Sequence, residues 1–365
     1  MLIAATSSKN IKTNDQDAVE AAFKALSQKI YYGNAGVDEN LTGKTMITSG
    51  LTASSISRWI GDMKFDSANG GVGSFVGGSG INITGDYETA LMKGARAATT
   101  SAMLSWRDNA ANVIYRGDLL RAHMESDGIW AKTYGGKDTY NANAVDLSNS
   151  YWGAQVGFDR MYDHGWIAGA AIDYQKGSSS YNYTDDDFGN IGGNTGDNKL
   201  YSFGLYASKD LGDGAHLDFA AKAGSVRNEF SVHNGIGTEL NGTYRNRGYS
   251  ATASLAKRIG TDKSYLEPQA QLTWAHLGGR NFAAVTDGGE VLDVNQGNYN
   301  SFVGRLGLEL GKTGRLGSVY ARFGLAHEFS GDITGSYSAE DGGSKTTSVE
   351  TKGTWAEMSL GTTLN

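Results

Sequence analysis

The sequence contains one proline in 365 residues and no cysteine. Without cysteine there is no disulfide framework, no thiol nucleophile and no thiolate metal site. Scarce proline beside 52 glycines is also unlike loop-rich or disordered chains, which raise both residues together. No stretch approaches the ~20 apolar residues of a membrane helix. The longest apolar piece, GWIAGAAI (165–172), is interrupted by glycine. No Lys/Arg cluster is present and the formal charge is -7, which argues against a nucleic-acid partner. The opening MLIAATSSKN is too short and lacks the charged n-region of a signal peptide, so an exported chain of this sequence is expected to be a fragment without its leader. Zinc-protease, phosphate-loop and nucleophile-elbow motifs are all missing. The six histidines fall singly, and His164, His216, His276 and His327 sit at turns or strand ends, where solvated or interfacial roles are expected. No cofactor, metal or catalytic residue is expected.

What the chain does have is aromatic residues at 10%, led by 19 tyrosines, although its mean hydropathy is -0.39. Three zones differ in pattern. In residues 1–80, DAVEAAFKALSQKI (17–30) has helical spacing behind Asp17, and Thr- and Gly-rich pieces follow. Those pieces are expected to be the stacked rungs of a β-solenoid-like stem, with an extended linker as the alternative. Residues 81–126 carry the long helical signal, DYETALMKGARAATTSAMLSW, whose side chains are mostly small. Lys93 and Arg96 share a face of this helix. Such a helix suits a narrow space with polar walls, and an ordinary Ala-rich amphipathic helix is the alternative.

In residues 127–365, segments of about ten residues alternate. YWGAQVGFD places Trp152, Ala154, Val156 and Phe158 on one face and Gln155 and Asp159 on the other. GWIAGAAIDYQ, SFVGRLGLEL and VYARFGLAHEF follow the same rule. Alternation alone fits a soluble two-sheet sandwich, whether binding module or enzyme, as well as a membrane barrel. Connection lengths separate the two. Short turns such as YDHGW and LGDGAH alternate strictly with long polar loops such as SVHNGIGTELNGTYRN, so every long loop leaves one end of an up-and-down meander. The expected fold is therefore all-β, an antiparallel up-and-down transmembrane β-barrel with ten readable strands between Ile129 and Leu364.

GDYETALMKGARAATTSAMLSWRDNAANVIYRGDLLR followed by GIWAKTYGG resembles the junction of pore helix, linker and first barrel strand in autotransporters of the pertactin-like type. YLEPQAQLTW and GTWAEMSLG are similar to inner strands of that family. The resemblance implies a helix inside the barrel lumen, a barrel in the outer membrane of a diderm bacterium, and a passenger on the extracellular side. It also implies insertion by the outer-membrane assembly machinery. The expected role is a non-catalytic translocator that delivers and anchors its passenger, with a surface adhesin active in the upstream passenger as the alternative. Outer-membrane lipid and the chain's own passenger are the implied partners, and a monomer is expected. Family barrels have twelve strands and end on an aromatic residue, whereas this chain stops at SLGTTLN. About two strands are therefore expected to be missing, with the sheet left open unless further sequence or a partner closes it. Self-cleaving relatives carry an Asn-Asn pair; here Asn109 and Asn112 are separated by two alanines, so the passenger is expected to stay attached.

The charged lumen face supplies the candidate site. Glu267, Gln269, Arg305, Glu309, Arg322, Glu328 and Glu357 fall on it by alternation, and Glu267 and Glu309 lead the candidates to grip Lys93, Arg96 and Arg107 of the helix. The alternative is that they pair among themselves. Pro268 lies inside a strand, beside Glu267 and Gln269. Since proline cannot donate to a ladder, a bulge is expected there.

Overall fold

The computed structural model describes residues 46–52, 57–64, 82–112, 128–142, 145–185, 189–235, 237–261, 263–314, 317–339 and 344–364. β1 (Met46–Thr52) and β2 (Ser57–Lys64) of the first zone and β3 (Asn82–Glu88), which opens the second, form an antiparallel three-stranded sheet. Stacked solenoid rungs would pair in parallel, whereas these described strands pair antiparallel; the rest of residues 1–80 lies outside the described residues. The helix anticipated over 17–30 lies outside the described residues. Helix α1 (Ala90–Ala111) follows β3 directly, with the Thr89 hydroxyl accepting from the Met92 N–H as its N-cap.

Ten strands form the barrel wall. They are β4 (Gly128–Ala142), β5 (Val145–Tyr162), β6 (Trp166–Asp185), β7 (Gly189–Gly212) and β8 (Ala215–His233), then β9 (Glu239–Lys257), which continues after one residue into β10 (Ile259–Gly260). The wall goes on through β11 (Ser264–Leu277), leaves it for the hairpin β12 (Arg280–Thr286) and β13 (Val291–Gln296), and returns with β14 (Tyr299–Gly314) and β15 (Gly317–Ser330). A second hairpin, β16 (Asp332–Ala339) and β17 (Ser344–Glu350), precedes the last strand, β18 (Gly353–Leu364). Each wall strand pairs with the next, and β18 pairs with β4. The barrel thus closes with ten strands, and the expectation of an open sheet is corrected. Closure uses five register pairs, Leu360↔Gly135 to Leu364↔Ala131. An open edge at membrane depth would leave backbone groups unpaired in hydrocarbon, and five pairs remove that cost over the lower part of the seam.

The soluble sandwich alternative fails on which face is covered. Val156, Ile172, Leu205, Leu306, Leu325 and Leu360 point outward and are exposed, while Gln155, Asp173, Glu267 and Glu309 point inward and are buried. That is the polarity of a barrel in lipid. Aromatic side chains bound the outer apolar band. Towards the long-loop end, Trp152 meets Tyr174 at 5.6 Å, Tyr174 meets Tyr201 at 5.1 Å, and Tyr249 stacks on His276 at 5.5 Å. At the turn end stand Tyr162 and Trp166. Ten residues separate Trp152 from Tyr162 along β5, which at ~3.3 Å per residue and a tilt of about 40° gives a band roughly 25 Å tall.

The long polar connections prove to be hairpin extensions. β6 and β7 run on to Asp185 and Gly189, β8 and β9 to His233 and Glu239, and the β12–β13 and β16–β17 hairpins join β9 above the band. This upper storey encloses the N-terminal half of α1 in an apolar cluster that includes Val145, Leu147, Tyr183, Val232, Leu292 and Tyr337.

At Pro268 the expected bulge is absent. The β11–β14 register runs unbroken through Pro268↔Leu308. On the other side, Ala256↔Gln269 and Ile259↔Leu266 keep one register, with a gap only where Pro268 and Glu267 face Lys257 and Arg258. The missing N–H breaks the ladder without adding a residue, which is why β9 and β10 are separate elements.

Candidate functional site: the helix in the barrel lumen

All residues of α1 except Asp108 and Ala111 are buried, although the helix is built largely from Ala, Gly, Ser and Thr. A helix hydrophobic on one face leaves its other face to water; this one is enclosed by the wall all round. Alanine favours the helix itself, and the short side chains let the wall approach closely. A Cβ on Gly94 would lie 2.7 Å from Val232 Cβ, and one on Gly248 of β9 would lie 2.5 Å from the Trp106 ring. About 33 Å of helix therefore fits inside the wall.

The last four carbonyls of an α-helix have no intrahelical donor and carry its negative end. Here wall side chains supply every one. Lys222 Nζ donates to the carbonyls of Asn109 at 2.8 Å and Asn112 at 2.6 Å. Thr252 reaches the Ala110 carbonyl at 3.3 Å, Gln271 the Ala111 carbonyl at 3.0 Å, and Gln155 adds a 3.4 Å bond to Asn112. Lys222 is itself paired with Asp173 at 3.3 Å, both side chains being buried. The Asp173 carboxylate also accepts from Asn109 Nδ2 at 2.9 Å, Tyr134 Oη at 2.8 Å and Gln155 Nε2 at 3.1 Å. Asn109 Nδ2 further approaches Tyr134 Oη at 3.1 Å and Gln175 Oε1 at 3.2 Å, and Lys132 donates to Asn112 Oδ1 at 3.2 Å. Both junction asparagines therefore sit in a polar collar drawn from β4, β5, β6 and β8.

Of the expected carboxylates, Glu328 meets a helix cation, while the two leading candidates, Glu267 and Glu309, do not. Arg107 pairs with Glu328 at 3.0 Å and lies over the Trp355 ring at 4.4 Å. Glu328 also accepts from Tyr299 Oη at 2.9 Å and Thr351 Oγ1 at 3.0 Å. Lys93 Nζ donates to the Thr184 carbonyl at 2.7 Å, and Arg96 approaches Thr347 Oγ1 at 3.5 Å. Glu267 and Glu309 are engaged by wall residues instead. Glu267 takes Arg258 Nε at 3.0 Å and Gln269 Nε2 at 3.0 Å, while Glu309 takes Tyr265 Oη at 2.9 Å and Arg322 Nη2 at 2.5 Å. Arg305 pairs with Glu357 at 3.1 Å. The reason is axial level. On β11, Gln271 reaches the final helical turn, so Glu267, four residues nearer the turn end, lies below the helix.

Between the lower helix and the unpaired upper seam lies a cavity of about 420 Å³ whose lining includes Arg107, Asp108, Asp138, Arg305 and Trp355. Among the described residues no group of three His, Cys, Asp or Glu side chains is placed to hold a metal. Sequence alternation places Gln155, Asp173 and Gln271 on the inward face without tying them to the helix, and it did not single out Lys222, Lys132 or Thr252. The signal was there in part: charged or amide side chains in mid-strand, on the face opposite the lipid-directed residues, must point inward. Their partners depend on helix depth, which alternation does not encode.

A family model described as "Autotransporter beta-domain" matches residues 129–365. The serine protease SepA autotransporter of Shigella flexneri is 27% identical over 255 residues, covering 67% of this chain and 17% of that protein. The pertactin autotransporter of Bordetella bronchiseptica is 29% identical over 248 residues, covering 66% of this chain and 26% of that protein. This chain thus spans about a quarter or less of these relatives' length. Among solved structures, the translocator domain of the autotransporter NalP from Neisseria meningitidis shares the fold with a TM-score of 0.52 at 14% identity, covering 73% of this chain and 97% of that one.

Proposed function

This chain belongs to the autotransporter family through its β-domain, and on that footing we propose that it is a translocator that anchors the polypeptide preceding its lumen helix at the outer surface of the outer membrane, without catalysis of its own. The observation that carries this reading is the seating of α1. Its N-terminal end lies at the long-loop end, where Lys93 holds Thr184, and its C-terminal carbonyls are capped inside the wall by Lys222, Thr252, Gln271 and Gln155. The chain before Thr89 then leaves on the long-loop side, and the collar resists its withdrawal. Lipid covers the exposed apolar band, and the assembly machinery of the outer membrane would insert the barrel.

An epitope placed before residue 82 tests the polarity. Protease added to intact diderm cells should remove it and leave the barrel whole; protection until the cells are permeabilised would overturn the proposal. The same reading keeps the passenger attached. Asn109 and Asn112 are not neighbours, and their side chains are held by different collar groups, Asp173 and Lys132. Mass spectrometry of the assembled protein should show an unbroken chain through residues 109–112, and a clean break there would refute attachment.

A further inference from the structure

The outer surface of β6–β9 carries a feature that a barrel in lipid does not need for folding. Lys176 is the direct register partner of Lys199, Lys199 of Arg227, and Arg227 of Arg245. Four cations thus stand side by side across four strands, all on the outward face, with Arg247 two residues from Arg245 on the same face. Like charges directly opposite across an antiparallel pair destabilise it. The neighbouring row on the loop side contains Asp197 opposite Glu229. Glu229 pairs with Arg227 at 2.8 Å and Ser178 donates to Asp197 at 2.7 Å. Those two carboxylates leave the five cations in excess, and Lys176, Lys199, Arg245 and Arg247 make no ion pair among the described residues.

Position says what the row faces. Lys176 lies two residues towards the loop end from Tyr174, Lys199 two from Tyr201, and Arg247 two from Tyr249, the aromatics that edge the apolar band. Two residues along a tilted strand are about 5 Å of height, so Lys176, Lys199 and Arg247 stand where hydrocarbon gives way to headgroups, and Arg245, four residues from Tyr249, stands about 5 Å beyond them in the polar layer. Their stems can lie along the aromatic belt while the charged ends reach the polar layer.

We propose that this row is a binding site for the phosphate groups of anionic lipid in the leaflet at the long-loop end. Planar guanidinium groups and flexible ammonium groups in one line suit two or more phosphates on one headgroup. The site rests on the membrane-barrel reading above and adds to it a lipid class and a fixed place on the wall.

The test uses the full chain in a zwitterionic detergent, probed by native mass spectrometry with a bis-phosphorylated diglucosamine lipid and with the same lipid stripped of phosphate. The protein should retain the phosphorylated form and not the stripped one. A Lys199→Gln/Arg245→Gln variant should weaken retention roughly twenty-five-fold, since each cation beside an anionic surface contributes a factor of about five. Lys257→Gln/Lys312→Gln, which removes the same charge near the turn end, should leave it unchanged. Equal retention of both lipids, or equal loss in the two variants, would overturn the site while heat-modifiable gel migration still supports the barrel. A chain that stays monodisperse in water without detergent would overturn both.

Discussion

Lys222 illustrates how a lipid-sized strand hides a charge. It lies in mid-strand, faces inward by parity, and is buried between two helix carbonyls and Asp173. Removing one partner of a buried pair leaves the other uncompensated, at a cost of about 3–5 kcal/mol. Lys222→Met should therefore lower the temperature at which the barrel loses its compact gel migration, and adding Asp173→Asn should restore part of the loss. If the single variant melts like the parent, the collar does not hold the helix. Trp106 is set against Gly248 as closely: a new Cβ there meets the Trp106 ring at 2.5 Å and the His276 carbonyl oxygen, which is backbone, at 2.7 Å. Gly248→Val is expected to displace the helix, because overpacking costs about 1–3 kcal/mol where neighbours cannot yield. Planar-bilayer conductance would report it as a larger and more frequent open current than the parent shows.

At the scale of elements, helix and strand were legible to different degrees. The helix signal, quoted over residues 86–106, covered all but the last five residues of α1 because Ala-rich propensity is local, yet nothing local could say that a barrel would enclose it. The strands were legible from parity alone, including which residues of β11 face lipid, among them Pro268 and Leu272. What parity could not show was how the ladder accommodates a proline. A missing N–H can be met by an added residue or by an unpaired step; here the register on both sides forces the unpaired step. Pro268→Ala should restore about one hydrogen bond, worth roughly 1 kcal/mol, while freeing the unfolded chain by about 0.4–1 kcal/mol. The two nearly cancel, so denaturant midpoints should move little, while the amide created at position 268 should be protected from exchange. A shifted exchange pattern along β9 and β11 would show that proline sets the register after all.

For the whole molecule the decisive contact is the seam. Alternation suggested ten strands and the resemblance suggested twelve, so an open sheet followed; the structure closes the ring through β18 and β4. Closure depends on total curvature and stagger, which no single strand carries. Cysteines replacing Thr133 and Thr362, direct partners in the seam, should cross-link on oxidation and raise the melting temperature. Cysteines at Lys137 and Met358, where the same register would continue but the strands do not pair, should cross-link far less. Equal cross-linking at both positions would mean the seam is paired along its length.

The sequence by itself determined the class, the lipid and lumen faces, the helix and the end from which the long connections leave. Each follows from periodicity or loop length, which are properties of neighbouring residues. Only the tertiary structure decided the depth of the helix, and with it the grip of Glu328 on Arg107 in place of Glu267 and Glu309. It alone decided the cap drawn from Lys222, Thr252, Gln271 and Gln155, the register at Pro268, the ring of ten, and the cation row from Lys176 to Arg245. These join residues far apart in sequence, and which of them meet is set by how tilted strands are staggered around a closed wall.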